Sequence, residues 1–244
     1  IPLLALNTAA PNMTALFDEV CLAVKPNDAG NFLINDTFKN HGLRPLVGCN
    51  PTVTNAGLSF VLSMGFTEIL LIGVDLGQKT AASHHSSLSV YHDLEKRSKG
   101  KIDHGFDARQ QSLVPGNFGG EVYADLILSL SRNEMEVLLS WPNPVGREHA
   151  VYNLNDGALI NGAIPTRYPD LNAFRPLADK PAIIAAIKNR NFKYLESATL
   201  SAKALEDQYL QSFRALKKSL MLPKKINTVD ELHGTMNRIY GALT

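Results

Sequence analysis

The stretch that decides the fold runs from Asn55 to Asp75, NAGLSFVLSMGFTEILLIGVD. Its first half carries Leu58, Val61 and Leu62 at helical spacing, which predicts a helix over Asn55–Met64. Gly65 follows where a helix end favours a left-handed residue. Its second half, Glu68–Val74, is a largely apolar run ending at Asp75. A strand without polar alternation is covered on both faces, as in a parallel sheet between helices.

Working outward, the same rhythm continues. Ile1–Leu6 reads as a buried strand, Asn12–Val24 as an amphipathic helix, and Asn31–Ile34 and Leu43–Val47 as short strands. Downstream, Phe118–Asn133 (Val122, Leu126, Ile127, Leu130) predicts a helix and Glu136–Ser140 a strand closed by Pro142 and Pro144. Alternating helices and strands predict an α/β fold: a doubly wound, Rossmann-like, mostly parallel sheet with a C-terminal helical region. The segment from Gly77 to Gly116 lacks periodicity and reads as a functional loop. The domain expected over 1–165 gives way to a Pro-rich stretch, Thr166–Lys180. In the helical region over 166–244, Asp179 is placed to cap a helix with Pro181 in its first turn. The apolar stripe of that region reads as packing, not chemistry.

Composition narrows the function classes. The chain has 244 residues, 45% of them hydrophobic and 19% charged, with a net charge of +1. No apolar run approaches the roughly 18 residues of a membrane span. The basic residues are dispersed, unlike the concentrated stripe of a nucleic-acid surface. Cys21 and Cys49 lie far apart without a CxxC spacing, which predicts buried, reduced thiols and a cytoplasmic location, neither a disulfide framework nor a zinc knuckle. The chain opens Ile-Pro-Leu-Leu without Met, and an N-terminal part is expected to be lacking.

Ligands of open α/β sheets sit beyond the carboxyl ends of the strands, and three segments are expected there. In Asn50-Pro-Thr-Val-Thr-Asn55, the groups of Thr52, Val53, Thr54 and Asn55 face a helix N terminus, where partial positive charge favours phosphate or carboxylate. Thr54 or Asn55 could equally be a plain helix cap. Asp75 ends an apolar strand, so its carboxylate must be solvated or bonded; it would bind a sugar hydroxyl, hold a base or organise a loop. In Pro115-Gly116-Asn117-Phe-Gly-Gly120, read as the opening of a helix, glycine lets a ligand approach the backbone and Asn117 offers donor and acceptor. Between these lie His84, His85, Tyr91 and His92, candidates for a general base or for steadying a leaving phosphate, or else solvated loop residues. Asn155 and Asp156, in Tyr152-Asn-Leu-Asn-Asp-Gly-Ala158, offer polar groups beside a glycine, as a turn or a sugar-binding rim. No histidine–carboxylate pattern suggests zinc. The GxxxxGK[ST], GxSxG and complete GxGxxG motifs are absent.

Three motifs in order resemble the motility accessory factor family, bacterial proteins implicated in decorating flagellin with nonulosonic (sialic-acid-like) sugars. They are Asn50–Gly57 continuing through Met64–Leu76, Val114-Pro-Gly-Asn-Phe-Gly-Gly-Glu-Val122, and Tyr152–Gly162. The helix–Gly–strand–Gly-x-Asp unit is also similar to bacterial CMP-sugar sialyltransferases, which would set Thr52, Val53 and Thr54 against the nucleotide. Where that group has a Tyr after the Asp and a His before the next helix, this chain has Leu76-Gly77 and Asn117, so Asp75, His84, His85 and His92 all stand as candidate bases. The family's upstream Gly-x-Gly-Pro-Ser turn is not found. The resemblance implies a nucleotide-sugar-binding domain over 1–165, no tightly bound cofactor, a CMP-sugar donor and a flagellin-like protein acceptor. Two alternatives stand beside it: a phosphotransferase resembling 6-hydroxymethylpterin diphosphokinases, which would need Mg²⁺, and a non-catalytic flagellin-binding or chaperone module.

Overall fold

The computed structural model describes residues 2–28, 31, 34, 38, 41–80, 111–142, 148–170, 178–195, 206–207, 210–211, 214 and 228–243. The chain divides into two compact units, Ile1–Lys193 and Tyr194–Thr244.

In the first unit the element order is β1 (Leu3–Leu6), α1 (Pro11–Thr14), β2 (Val20–Ala23), α2 (Val53–Ser63), β3 (Glu68–Leu71), β4 (Ser112–Pro115), β5 (Glu121–Ala124), α3 (Leu126–Ser140), β6 (Ala150–Asn153), β7 (Ile164–Pro165) and α4 (Lys180–Asn191). The fold is mixed α/β with mostly parallel pairing. Among the described residues the strands form three small sheets, β1-β2, β3-β6-β7 and β4-β5, and not one continuous doubly wound sheet. The first two are parallel and the third is an antiparallel hairpin.

Helix α2 is the central element. Leu58 and Leu62 pack into the larger core with β3, β6 and α3, while Ala56, Phe60 and Met64 face a second cluster with Leu46 and Cys49. Two buried faces explain why this helix carries no charged residue. Gly65, at φ 83°, turns the chain back into β3. The helix N terminus and the carboxyl end of β3 therefore come to the same edge.

Several elements differ from expectation. Asn12–Val24 is one helical turn followed by a strand, because the β1–β2 ladder from Leu3↔Val20 to Leu6↔Ala23 takes its second half. Leu43–Val47 contributes only a bridge, Val24↔Pro45, and Asn31 and Ile34 are helical. The glycine-rich segment 116–120 opens no helix. It is the turn of the β4–β5 hairpin, and β4 occupies the end of the segment expected as loop. Glu121–Ala124 alternates exposed and buried positions, and the Asp125 carboxylate accepts from the Leu128 N–H to start α3. Glu136–Ser140 is helical, since Ser131, Met135 and Leu139 recur at i+4 on the buried face.

As expected, Asp179 caps α4, accepting from the Ala182 N–H at 3.0 Å. This helix belongs to the first compact unit, which runs to Lys193. Ile187 and Phe192 pack on the second cluster, Arg190 donates to the Met64 carbonyl at the end of α2, and Lys188 pairs with Glu19. In the second unit, α5 (Val229–Leu243) starts with Thr228 Oγ1 accepting from the Glu231 N–H at 3.2 Å. No helix among the described residues is long and apolar enough to cross a membrane.

Cys21 and Cys49 are free and buried. Desolvation pushes both thiols above the ordinary cysteine range. A thiol reagent at pH 8 should label both slowly in the folded protein and promptly in denaturant, read by the colour released. A chain ending at Ala178, deprived of α4, should unfold at a urea concentration about 1 M lower than one ending at Lys193, given a slope of about 2–3 kcal/mol/M.

Candidate functional site

The parallel strands β3 and β6 end together, with Leu71 opposite Asn153. Carbonyls at such an end need donors, because a buried unpaired one is costly. Side-chain amides supply them. Asn155 Nδ2 donates to the Leu71 carbonyl at 3.0 Å and to Asn153 Oδ1 at 2.8 Å, while its own Oδ1 accepts the Gly73 N–H at 2.6 Å. Asn117, brought in by the hairpin turn, donates from Nδ2 to the carbonyls of Asn153 (3.0 Å) and Asn155 (2.8 Å). Its backbone N–H reaches Gly157 at 2.8 Å.

The three asparagines are buried, and Asn117 keeps only 5% of its surface exposed. Its Oδ1 is a buried acceptor without a donor among the described residues. Such an atom, left alone, costs about 1–3 kcal/mol, so it marks a place where a ligand hydroxyl or amide would be favoured. Both segments beyond the strand ends are locked by close backbone approach. The Ala158 N–H donates to the Asp75 carbonyl at 2.7 Å, and a Cβ on Gly157 would lie 2.0 Å from that oxygen. Asp75 itself is exposed. Asp156 is exposed too and pairs with Lys79 at 2.7 Å. Gly116 is buried in the hairpin turn, where a Cβ would meet the Gly119 carbonyl at 2.7 Å.

The N terminus of α2 forms a second set of contacts. Asn55 Oδ1 accepts from the Thr52 N–H (3.3 Å), the Thr52 hydroxyl (2.6 Å) and the Ser131 hydroxyl (2.5 Å), and Nδ2 donates to the Ser131 carbonyl (2.9 Å). Thr52, and not Thr54 or Asn55, is thus the N-cap of α2; Asn55 sits at the third helical position, completes the capping box through the Thr52 N–H and ties α2 to α3, with its carboxamide turned inward. Thr52 and Thr54 are half-buried with their hydroxyls 2.7 Å apart, and Val53 is 85% exposed. The two sets share no residue, although topology brings both to one edge. His84, His85, Tyr91 and His92 lie outside the described residues. Among the described residues no group of three or more His, Cys, Asp or Glu side chains could hold a metal ion.

Asn153 stood in the stretch read as a turn or sugar-binding rim, and it accepts through Oδ1 from both the backbone and side chain of Asn155. Two contributors escaped the sequence reading. Ser131 had no local signal. Arg167, just past β7, lies with its guanidinium carbon 4.3 Å from the centre of the Phe118 ring, and it stood in the Pro-rich stretch Thr166–Lys180, to which no site residue was assigned.

A solved structure of the MAf glycosyltransferase from Magnetospirillum magneticum AMB-1 matches 99% of this chain with a TM-score of 0.58 and 20% identity. The chain shares the fold of a MAf glycosyltransferase. This agrees with the resemblance carried by the three motifs. The match takes in 38% of that protein, so the chain spans well under half of its length. No protein-family model matches the sequence, and no curated protein matches it by sequence comparison.

Gly157→Ala and Asn155→Ala should each lower stability by about 2–3 kcal/mol, the first by forcing backbones apart and the second by orphaning the Gly73 and Leu71 groups. In thermal unfolding that corresponds to a fall of roughly 5–10 °C. Val53→Ala, on the exposed side of the same edge, should unfold like the parent.

Proposed function

We propose that this chain carries the donor site of a glycosyltransferase that moves a nonulosonic acid from a CMP donor to a Ser or Thr of flagellin or a similar protein. The observation that carries the reading is the fold likeness to a MAf glycosyltransferase over 99% of the chain. Fold alone does not specify chemistry, so the site must support the reading separately. It does so by gathering hydroxyls, amides and an exposed carboxylate at the strand edge where α/β proteins bind nucleotides.

In this reading Thr52 and Thr54 meet the nucleotide at the N terminus of α2, with Val53 alongside and Asn55 holding that turn in shape. The sugar lies over Asn117, Asn155 and Asp156, with Gly116 allowing close approach. The acceptor hydroxyl attacks the anomeric carbon, a new carbon–oxygen bond forms, the bond to phosphate breaks, and CMP departs with the electron pair. Asp75, His84, His85 or His92 takes the hydroxyl proton, and Tyr91 is available to steady the departing phosphate. The asparagine network holds Asp75 through the Gly73 and Ala158 contacts. CMP has a single phosphate, so helix and hydroxyl donors suffice to meet it without a metal ion.

Isothermal titration with CMP, and separately with ATP and Mg²⁺, tests this. CMP should bind, and Thr52→Ala or Thr54→Val should weaken it about tenfold, the effect of losing one hydrogen bond to a charged group. Absence of CMP binding overturns the reading. Heat with ATP and Mg²⁺ alone would point to a phosphotransferase.

A further inference from the structure

The donor in the proposed reaction is doubly anionic, with a phosphate on the nucleotide and a carboxylate on the sugar acid, and this inference rests on that reading. Apart from the histidines proposed as bases, the polar groups expected at the site from sequence are neutral or acidic, so none of them offers the carboxylate a permanent cation. Among the described residues, two cations attach to the segments that build the amide network. Lys79 is engaged by Asp156 at 2.7 Å. Arg167 is not: among the described residues no carboxylate pairs with it, and it is exposed.

Its position is set by the same atoms that build the site. Pro165 pairs with Asn153 at the end of β7, and the Thr166 N–H donates to the Asn153 carbonyl at 3.0 Å. That carbonyl also accepts from Asn117 Nδ2. Arg167 thus follows directly on the residue that shares an acceptor with Asn117. Its guanidinium stacks on Phe118, the residue after Asn117. Stacking on a ring face holds the guanidinium plane while leaving its N–H groups at the edge, where a carboxylate is met by two parallel hydrogen bonds. Asn117, the residue before Phe118, carries a buried Oδ1 that has no partner among the described residues. A guanidinium fork over Phe118 and a lone acceptor on the preceding residue match a carboxylate attached to a carbon framework that carries hydroxyl or amide donors.

We infer that Arg167, held over Phe118, binds the carboxylate of the donor sugar and selects CMP-linked sugar acids over donors whose sugar is uncharged. Asn117 Oδ1 accepts a hydroxyl or amide hydrogen of the same sugar.

The test compares CMP with CMP-N-acetylneuraminic acid by isothermal titration on the parent protein, Arg167→Ala, Arg167→Lys and Phe118→Leu, with thermal unfolding of each to check folding. The parent should bind the sugar nucleotide at least tenfold more tightly than CMP. Arg167→Ala should abolish that preference and leave CMP affinity within twofold. Arg167→Lys, a point charge without the fork, should restore only part of it, and Phe118→Leu should lose part of it. Equal weakening of both ligands in Arg167→Ala would assign the residue to the phosphate and overturn the inference. So would an unchanged preference, or a parent that binds CMP but not the sugar nucleotide; in these cases the nucleotide site still stands. A parent that binds neither removes the proposed function itself.

Discussion

The candidate site depends on how the carbonyls at the ends of two parallel strands are satisfied. Where β3 and β6 stop, the ladder no longer provides donors for Leu71, Asn153 and the residues just beyond. Three asparagine side chains extend the ladder in place of backbone. Each carboxamide presents donor and acceptor in a fixed plane, so each one fixes two or three chain segments at once. The segments bound in this way, 71–75, 115–118 and 153–158, contain Asp75, Gly116, Asn117, Asn155 and Asp156, all expected to meet a ligand; the expected stretch Asn50–Asn55 stands outside the network. Satisfying the backbone and shaping the site are one arrangement.

Helix α2 provides the other support. It lies between two clusters, one shared with the β3-β6-β7 sheet and one closed by Ile187 and Phe192 beside α4. Its N terminus is tied to α3 through Asn55 and Ser131, and the carbonyl of Met64 just past its C terminus accepts from Arg190. A helix held at both ends and on two faces has little freedom to shift. The threonines at its start are therefore presented in a set position relative to the strand ends.

How much was legible in the sequence follows from the range of the interactions involved. The helix–Gly–strand unit from Asn55 to Asp75 was readable because its signals are local: periodicity, a glycine at the turn and an unbroken apolar run. The cap at Asp179 was readable for the same reason. The hairpin was misread because a glycine-rich turn resembles a helix start until Glu121–Ala124 is seen to alternate. Asn117 and Asn155 were picked out as polar groups beside glycines, but their partners lie far away in sequence, and no local pattern told that they would meet. Asn55 was legible as part of the helix start, but the cap itself is Thr52 and the grip of Asn55 on Ser131 had no local signal. Arg167 was hidden entirely, since its ring partner belongs to a different sheet.

The amide scaffold also has a consequence for the proton economy of the site. Asn117, Asn153 and Asn155 neither gain nor lose protons across the range in which proteins stay folded. The frame beneath the ligand is thus electrically constant as acidity changes. Any bell or slope in a pH profile of binding or turnover reports the groups mounted on that frame, or the ligand itself, and not the frame deforming. Titration then becomes a direct reading of which ionisable residue does the chemistry.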